Sequence, residues 1–146
     1  MAANLFANEI FLSLFCSILA ADVMKVLIHY LSFKRVDVTL FVKTGGMPSA
    51  HTAAVCAMTT SVYLTQGITD LFVITLMFSL IVITDAFGFR RSIGKQAEIL
   101  NKMIDDIAMF NKFETKRLYE LIGHTPKQVI IGGILGIIVA NIVHFF

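Results

Sequence analysis

Leu71-Phe72-Val73-Ile74-Thr75-Leu76-Met77-Phe78-Ser79-Leu80-Ile81-Val82-Ile83-Thr84-Asp85-Ala86-Phe87 carries no charge until Asp85. A bilayer core of roughly 30 Å needs about 20 apolar residues in a helix, so this run reads as a membrane span. The rest of the chain agrees. Of its 146 residues 57 % are hydrophobic and only 15 % are charged, where soluble domains carry about 25 %. Mean hydropathy is +0.80. The length suits one domain. The net charge of +2 gives no reason to expect a nucleic-acid partner.

Working outward from that run gives three more spans, at about 5–30, 49–64 and 127–146, beside this one at 71–87. The first contains Glu9, Asp22 and Lys25, so it is not a plain lipid-facing helix. The second is short and rich in Ser, Thr and Ala. The fourth contains Gly132 and Gly136, a Gly-x-x-x-Gly step that permits close helix approach. A homodimer through that face is one expectation. Thr65 to Asp70 is a short turn that makes spans two and three an antiparallel hairpin. Between spans three and four, Ile93, Ala97, Leu100, Ile104 and Ile107 recur every three or four residues. That spacing predicts an amphipathic helix over about 92–109, lying at the membrane surface. A shorter helix over about 114–122 follows, giving an amphipathic segment of about 92–122. The fold class is therefore all-α: a polytopic membrane protein in one transmembrane domain, with about four transmembrane helices plus an amphipathic helix on the cytoplasmic face.

Basic residues set the expected orientation. Lys34, Arg35 and Lys43 lie between spans one and two; Arg90, Arg91, Lys95, Lys102, Lys112, Lys116, Arg117 and Lys127 lie between spans three and four. Both loops fall on one side of a four-span chain, which the positive-inside rule makes cytoplasmic. The N-terminus lacks a basic region and a small-residue cleavage site, so no signal peptide is expected. Cys16 and Cys56 sit within apolar segments and read as buried free thiols.

This topology gathers the polar residues on one face. Gly45-Gly46-Met47-Pro48-Ser49-Ala50-His51 begins the second span there. Asp85, Arg90 and Arg91 end the third, and Gly123-His124-Thr125-Pro126 begins the fourth. A helix N-terminus offers free N–H groups and a partial positive charge, so both turns favour phosphate. Ser49 is placed to cap its helix and donate to a phosphate oxygen. His51 supplies a proton near neutral pH. His124 is placed to attack phosphorus and form a phosphohistidine. Arg90 and Arg91 offer paired N–H donors to phosphate, or a plain basic stop at the membrane exit. Asp85 is placed to orient one of the arginines or a histidine. Lys25 either neutralises Asp22 three residues away or points into the pocket. Lys95, Gln96, Glu98 and Asn101 read as a solvated face. His29 and His144 sit near span ends, where interfacial packing is the simpler reading. No zinc-type Cys/His spacing and no Walker loop is present, so no metal or cofactor is expected.

These motifs resemble the divergent branch of the type 2 phosphatidic acid phosphatase superfamily, which is related to the vanadium-dependent haloperoxidases. The resemblance rests on Gly45–His51, Asp85–Arg91, Gly94–Asn101 and Gly123–Pro126, in order. It implies a membrane-embedded, metal-independent phosphohydrolase acting on a lipid phosphate or pyrophosphate, such as a phospholipid or polyprenyl phosphate, in a bacterial-type inner membrane. By resemblance Ser49 and Arg90 or Arg91 bind phosphate, His51 protonates the leaving alkoxide and His124 is the nucleophile. The superfamily's first-motif lysine falls on Lys25 or Lys43. Departures are visible: Gln128 stands where an acidic residue orients the nucleophile, Ala50 replaces a glycine, and no Arg-Pro pair exists. Gln128 favours an alternative of another class, a non-catalytic lipid-phosphate-binding or membrane assembly or transport protein that kept the pocket.

Overall fold

The computed structural model describes residues 5–35, 46–110, 118 and 123–146. Their regular structure is entirely helical: a short 3-10 turn at Leu5–Ala7, then α1 Glu9–Phe33, α2 Ala50–Gln66, α3 Asp70–Phe87, α4 Phe89–Phe110 and α5 Pro126–Phe145. Three stretches are long and apolar enough to cross a membrane: α1, α3 running on into α4, and α5. The chain is thus an all-α polytopic membrane protein. α2 is 17 residues long and less apolar, and it is the most enclosed helix. It touches α1, α3 and α5.

Small residues explain why α2 sits at the centre. Helices in lipid gain little hydrophobic energy from one another, so close approach and hydrogen bonding must hold them. A Cβ on Gly132 would lie 2.6 Å from the Ser49 carbonyl oxygen, and one on Gly136 would overlap the Ala53 carbonyl oxygen. Gly132 meets Ser49 as Gly136 meets Ala53, at one constant offset, so α2 and α5 run parallel with their N-termini at one end. The Gly-x-x-x-Gly step is therefore occupied within the chain. α2 covers the Gly132/Gly136 face on which the homodimer expectation rests.

α1 presents Ser13, Ser17, Ala21 and Lys25, one residue per turn, to the interior. α3 is held by hydroxyls. Thr59 Oγ1 and Ser79 Oγ lie 2.7 Å apart, and Ser79 Oγ donates to the Val55 carbonyl at 3.0 Å. The rest of α3 offers Val73, Ile74, Met77, Phe78 and Ile81 outward, as a lipid-facing helix does.

α4 begins earlier than its apolar spacing suggests, at Phe89. Gly88 separates it from α3, with φ −94 and ψ −89 and an amide that bonds back to Thr84 at 2.9 Å. The buried stripe also differs from the apolar one. Ala97 and Asn101 are buried, whereas Ile93 and Leu100 are half exposed. Asn101 does not belong to a solvated face: its amide grips the Leu118 backbone twice, at 2.8 and 2.9 Å. The helix expected over 114–122 lies outside the described residues apart from Leu118. The side chain of Ile107 lies outside them too.

Two glycines separate packing from propensity. Gly136→Ala drives a methyl into α2 and lowers stability by about 1–3 kcal/mol. Gly133→Ala places its Cβ 3.4 Å from Cys56 Sγ, ordinary contact, and is neutral or gains up to about 1 kcal/mol from helix propensity. Thermal unfolding in detergent, with helicity as readout, distinguishes the two; equal losses would refute the α2–α5 contact as the determinant.

Candidate functional site

Two capped helix ends build the site. Ser49 is fully buried, and its Oγ accepts the Thr52 amide at 3.4 Å and the Thr52 hydroxyl at 3.0 Å. In both of these bonds the hydroxyl is the acceptor, which leaves its own proton to donate. The Ser49 amide donates to the Gln128 carbonyl at 3.2 Å. α2 is thereby fastened to the first turn of α5. Thr125 caps α5 with Pro126 in the first helical position, and Gln128 Oε1 accepts the Thr125 amide at 2.8 Å. The two N-termini, with their partial positive charges, lie side by side.

Lys25 comes to this place from α1. It is only 7 % exposed and pairs with Asp22 at 2.9 Å. Its aliphatic stem also lies against Gly46, where a Cβ would stand 3.2 Å from the lysine Cγ and Cδ. Gly46 has φ +88, a conformation that favours glycine. Lys25 therefore neutralises Asp22, the first of its two sequence readings, and its stem lies along the turn before α2. Lys43, the other lysine matched to the family's first motif, and Gly45 lie outside the described residues.

His124 is buried, and its amide donates to the Ala86 carbonyl at 3.0 Å. Beside it Gly123, at φ +101, packs so closely on the Arg90–Arg91 backbone that a Cβ would lie 2.5 Å from the Arg91 nitrogen. Long separation in sequence thus becomes direct contact at the α3–α4 break. The arginine side chains themselves are exposed. Arg90 Nε donates to Asp85 Oδ2 at 2.6 Å. Asp85 therefore serves Arg90, one of the partners expected of it, rather than a histidine. His51, in the first turn of α2, is exposed at the rim.

Burial is the main cause that pushes the His124 pKa below the ordinary histidine value, and the charges of His51 and Lys25 add to it. Gln128 and the Gly46 backbone pull the other way. Neither closes a hydrogen bond to Nδ1, which is buried without a partner among the described residues. The ring is held neutral near neutral pH, with a lone pair available. Two helix N-termini, a lysine and a buried imidazole make a place that favours an anion.

Sequence reasoning missed two contributors. Gln128 reads as a missing acid, yet its carbonyl fastens α5 to α2 while its side chain caps its own helix. Its place three residues after Thr125 is the capping-box signal that reveals this. Asn101 reads as solvated because its amphipathic neighbours hide it. Nothing in the spacing marks the Leu118 backbone as its partner.

The depressed His124 pKa has a stability consequence. An unfolded histidine titrates near about 6.5, so below that pH the unfolded chain binds the proton that folded His124 refuses. Wild-type stability falls as the pH drops from about 6.5 toward the folded pKa. His124→Gln removes that part of the fall. Unfolding midpoints in detergent between about pH 5 and 8 test this; parallel pH curves for both proteins would refute it.

Comparison with known proteins bears on this geometry. The chain is 37 % identical, over 98 % of its own length and 98 % of the relative's, to the uncharacterized membrane protein YuiD of Bacillus subtilis (strain 168). No solved structure matches it. A family model described as the divergent PAP2 family matches residues 6–139, which take in α1 through most of α5 and every residue of the site. By that match and by its likeness to this relative, the chain belongs to the divergent PAP2 family.

Proposed function

We propose that the chain is a metal-independent phosphohydrolase for a lipid phosphate or pyrophosphate, working through a phosphohistidine on His124. One observation carries the reading: Lys25 of α1, Ser49 and His51 at the start of α2, and His124 just before α5 gather at two parallel helix N-termini. The phosphate sits between those N-termini, with Lys25 and the Ser49 hydroxyl as donors. Neutral His124 attacks phosphorus. An N–P bond forms as the bond to the leaving oxygen breaks, and His51 gives that oxygen its proton. Water then cleaves the N–P bond, with His51 taking the proton from it. Fixed N–H dipoles stabilise the charge that develops on the transferred group. Arg90 and Arg91, exposed at the break, receive the lipid headgroup, and α4 guides it along the membrane surface. In this reading the site faces the cytoplasm of a bacterial-type inner membrane, and the basic residues at this end support the cytoplasmic side.

A second reading has its own support. Gln128 gives no negative charge to an imidazolium, its Oε1 is already bonded to Thr125, and Asp85 is bonded to Arg90. A site without an orienting carboxylate binds lipid phosphate without turning it over.

Phosphate release by purified protein, without added metal, over a panel of lipid phosphates and pyrophosphates separates the two. The expected result is release that His124→Ala abolishes and that His51→Ala lowers by about 10²–10⁴-fold, the usual scale of a general acid. Binding without release, weakened in both variants, selects the binding protein. Release untouched by either variant would refute both uses of the histidines.

A further inference from the structure

A hydroxyl on a helix in an apolar bundle has a ready partner, the carbonyl three or four residues back. This chain uses that partner repeatedly. Ser17 donates to the Leu14 carbonyl at 2.8 Å, Thr65 to Ser61 at 2.8 Å, Thr75 to Leu71 at 3.0 Å and Thr84 to Leu80 at 2.8 Å. Ser13 and Ser61 do not. They are 0 % and 1 % exposed, and neither Oγ has a partner among the described residues.

Register brings these two hydroxyls to one place. Glu9 of α1 pairs with His144 of α5 at 3.1 Å, and Ser13 lies one turn further along α1. On the other side, Gly136 of α5 meets Ala53 of α2. Moving equally along these parallel helices leads from Gly136 to His144 and from Ala53 to Ser61. Ser13 and Ser61 therefore stand within about one 5.4 Å turn of the same level, on contacting helices, under the Glu9–His144 pair. Their neighbours Ala57 and Ala140 are buried and small.

We propose that this end of the bundle, opposite the histidine site, is a buried hydration site that binds one or two water molecules between Ser13 and Ser61. Each hydroxyl both donates and accepts, and water matches both roles. A lipid chain would leave both hydroxyls unpaired, which explains no departure from the carbonyl bond. An anion would meet the Glu9 carboxylate. The Glu9–His144 pair closes the site toward the aqueous phase, and Ser17 and Ala21 seal it from Lys25. The site owes nothing to the phosphohydrolase reading, since it shares no residue with it.

The test is a high-resolution crystal structure of the full chain. An ordered water within hydrogen-bond distance of both the Ser13 and the Ser61 hydroxyl is expected. Hydroxyls bonded to helix carbonyls, with no water between them, overturn the proposal. Unfolding midpoints give a second readout on the native background. Ser13→Ala and Ser61→Ala each lower the midpoint when the hydroxyl holds water. A raised midpoint, as removal of an unpaired buried hydroxyl gives, overturns it.

Discussion

The contact of Gly132 and Gly136 with α2 is the constraint on which the rest of the structure depends. At these points α5 backbone meets α2 backbone, with no room for a Cβ. Lipid offers no hydrophobic reward for helix pairing, so only such intimacy yields enough dispersion to hold a register. Once the offset is fixed at Ser49 and Ala53, it fixes the ends as well. Both N-termini arrive at one level, and the Ser49 amide reaches the Gln128 carbonyl. The anion-favouring character of the site is a consequence of parallel packing, not of any one charged residue.

The charges around that site are nearly balanced, which bears on Gln128. Lys25 is paired with Asp22 within the bundle, and Arg90 with Asp85 at its rim. A buried pair of this kind contributes little net stability, but losing one partner strands a charge at a cost of about 3–5 kcal/mol. Glutamate at 128 would cap Thr125 as well as glutamine does. It would also add a negative charge beside the two helix N-termini. With Lys25 already paired, that charge would weaken their attraction for an anion. The amide keeps the cap and leaves the helix dipoles as the dominant field.

Much of this was legible in the chain because its signals are local. Long, largely apolar runs mark α1, α3 and α5. The Thr-Pro step at Thr125 and the Pro-Ser step at Ser49 mark the starts of α5 and α2. What escaped was set by distant contact. Gly132 and Gly136 advertise a close partner without naming it, and α2 proves to be that partner. Asn101 is polar by composition and buried by its bond to Leu118. The Arg90–His124 separation looked long until Gly123 brought the two segments together. α4 starts at Phe89 because the break at Gly88 is a backbone event that side-chain periodicity does not register.

The charges of α1 follow the same logic. A carboxylate in a membrane helix is expensive unless paired, and α1 holds two in 25 residues. Both are paired, Glu9 with His144 at the start of the helix and Asp22 with Lys25 near its middle, while the turns between carry only Ser13, Ser17 and Ala21 inward. Charge is thus confined to the two ends of a seam of small residues. That arrangement explains how a helix with three charged side chains is also one of the most apolar. It also separates the two polar regions by about 18 Å from Ser13 to Lys25, at 1.5 Å per residue. Small side chains alone do not make a thick seal. It is the full burial of Ser17 and Ala21 between the two ends that keeps the histidine end distinct from the other.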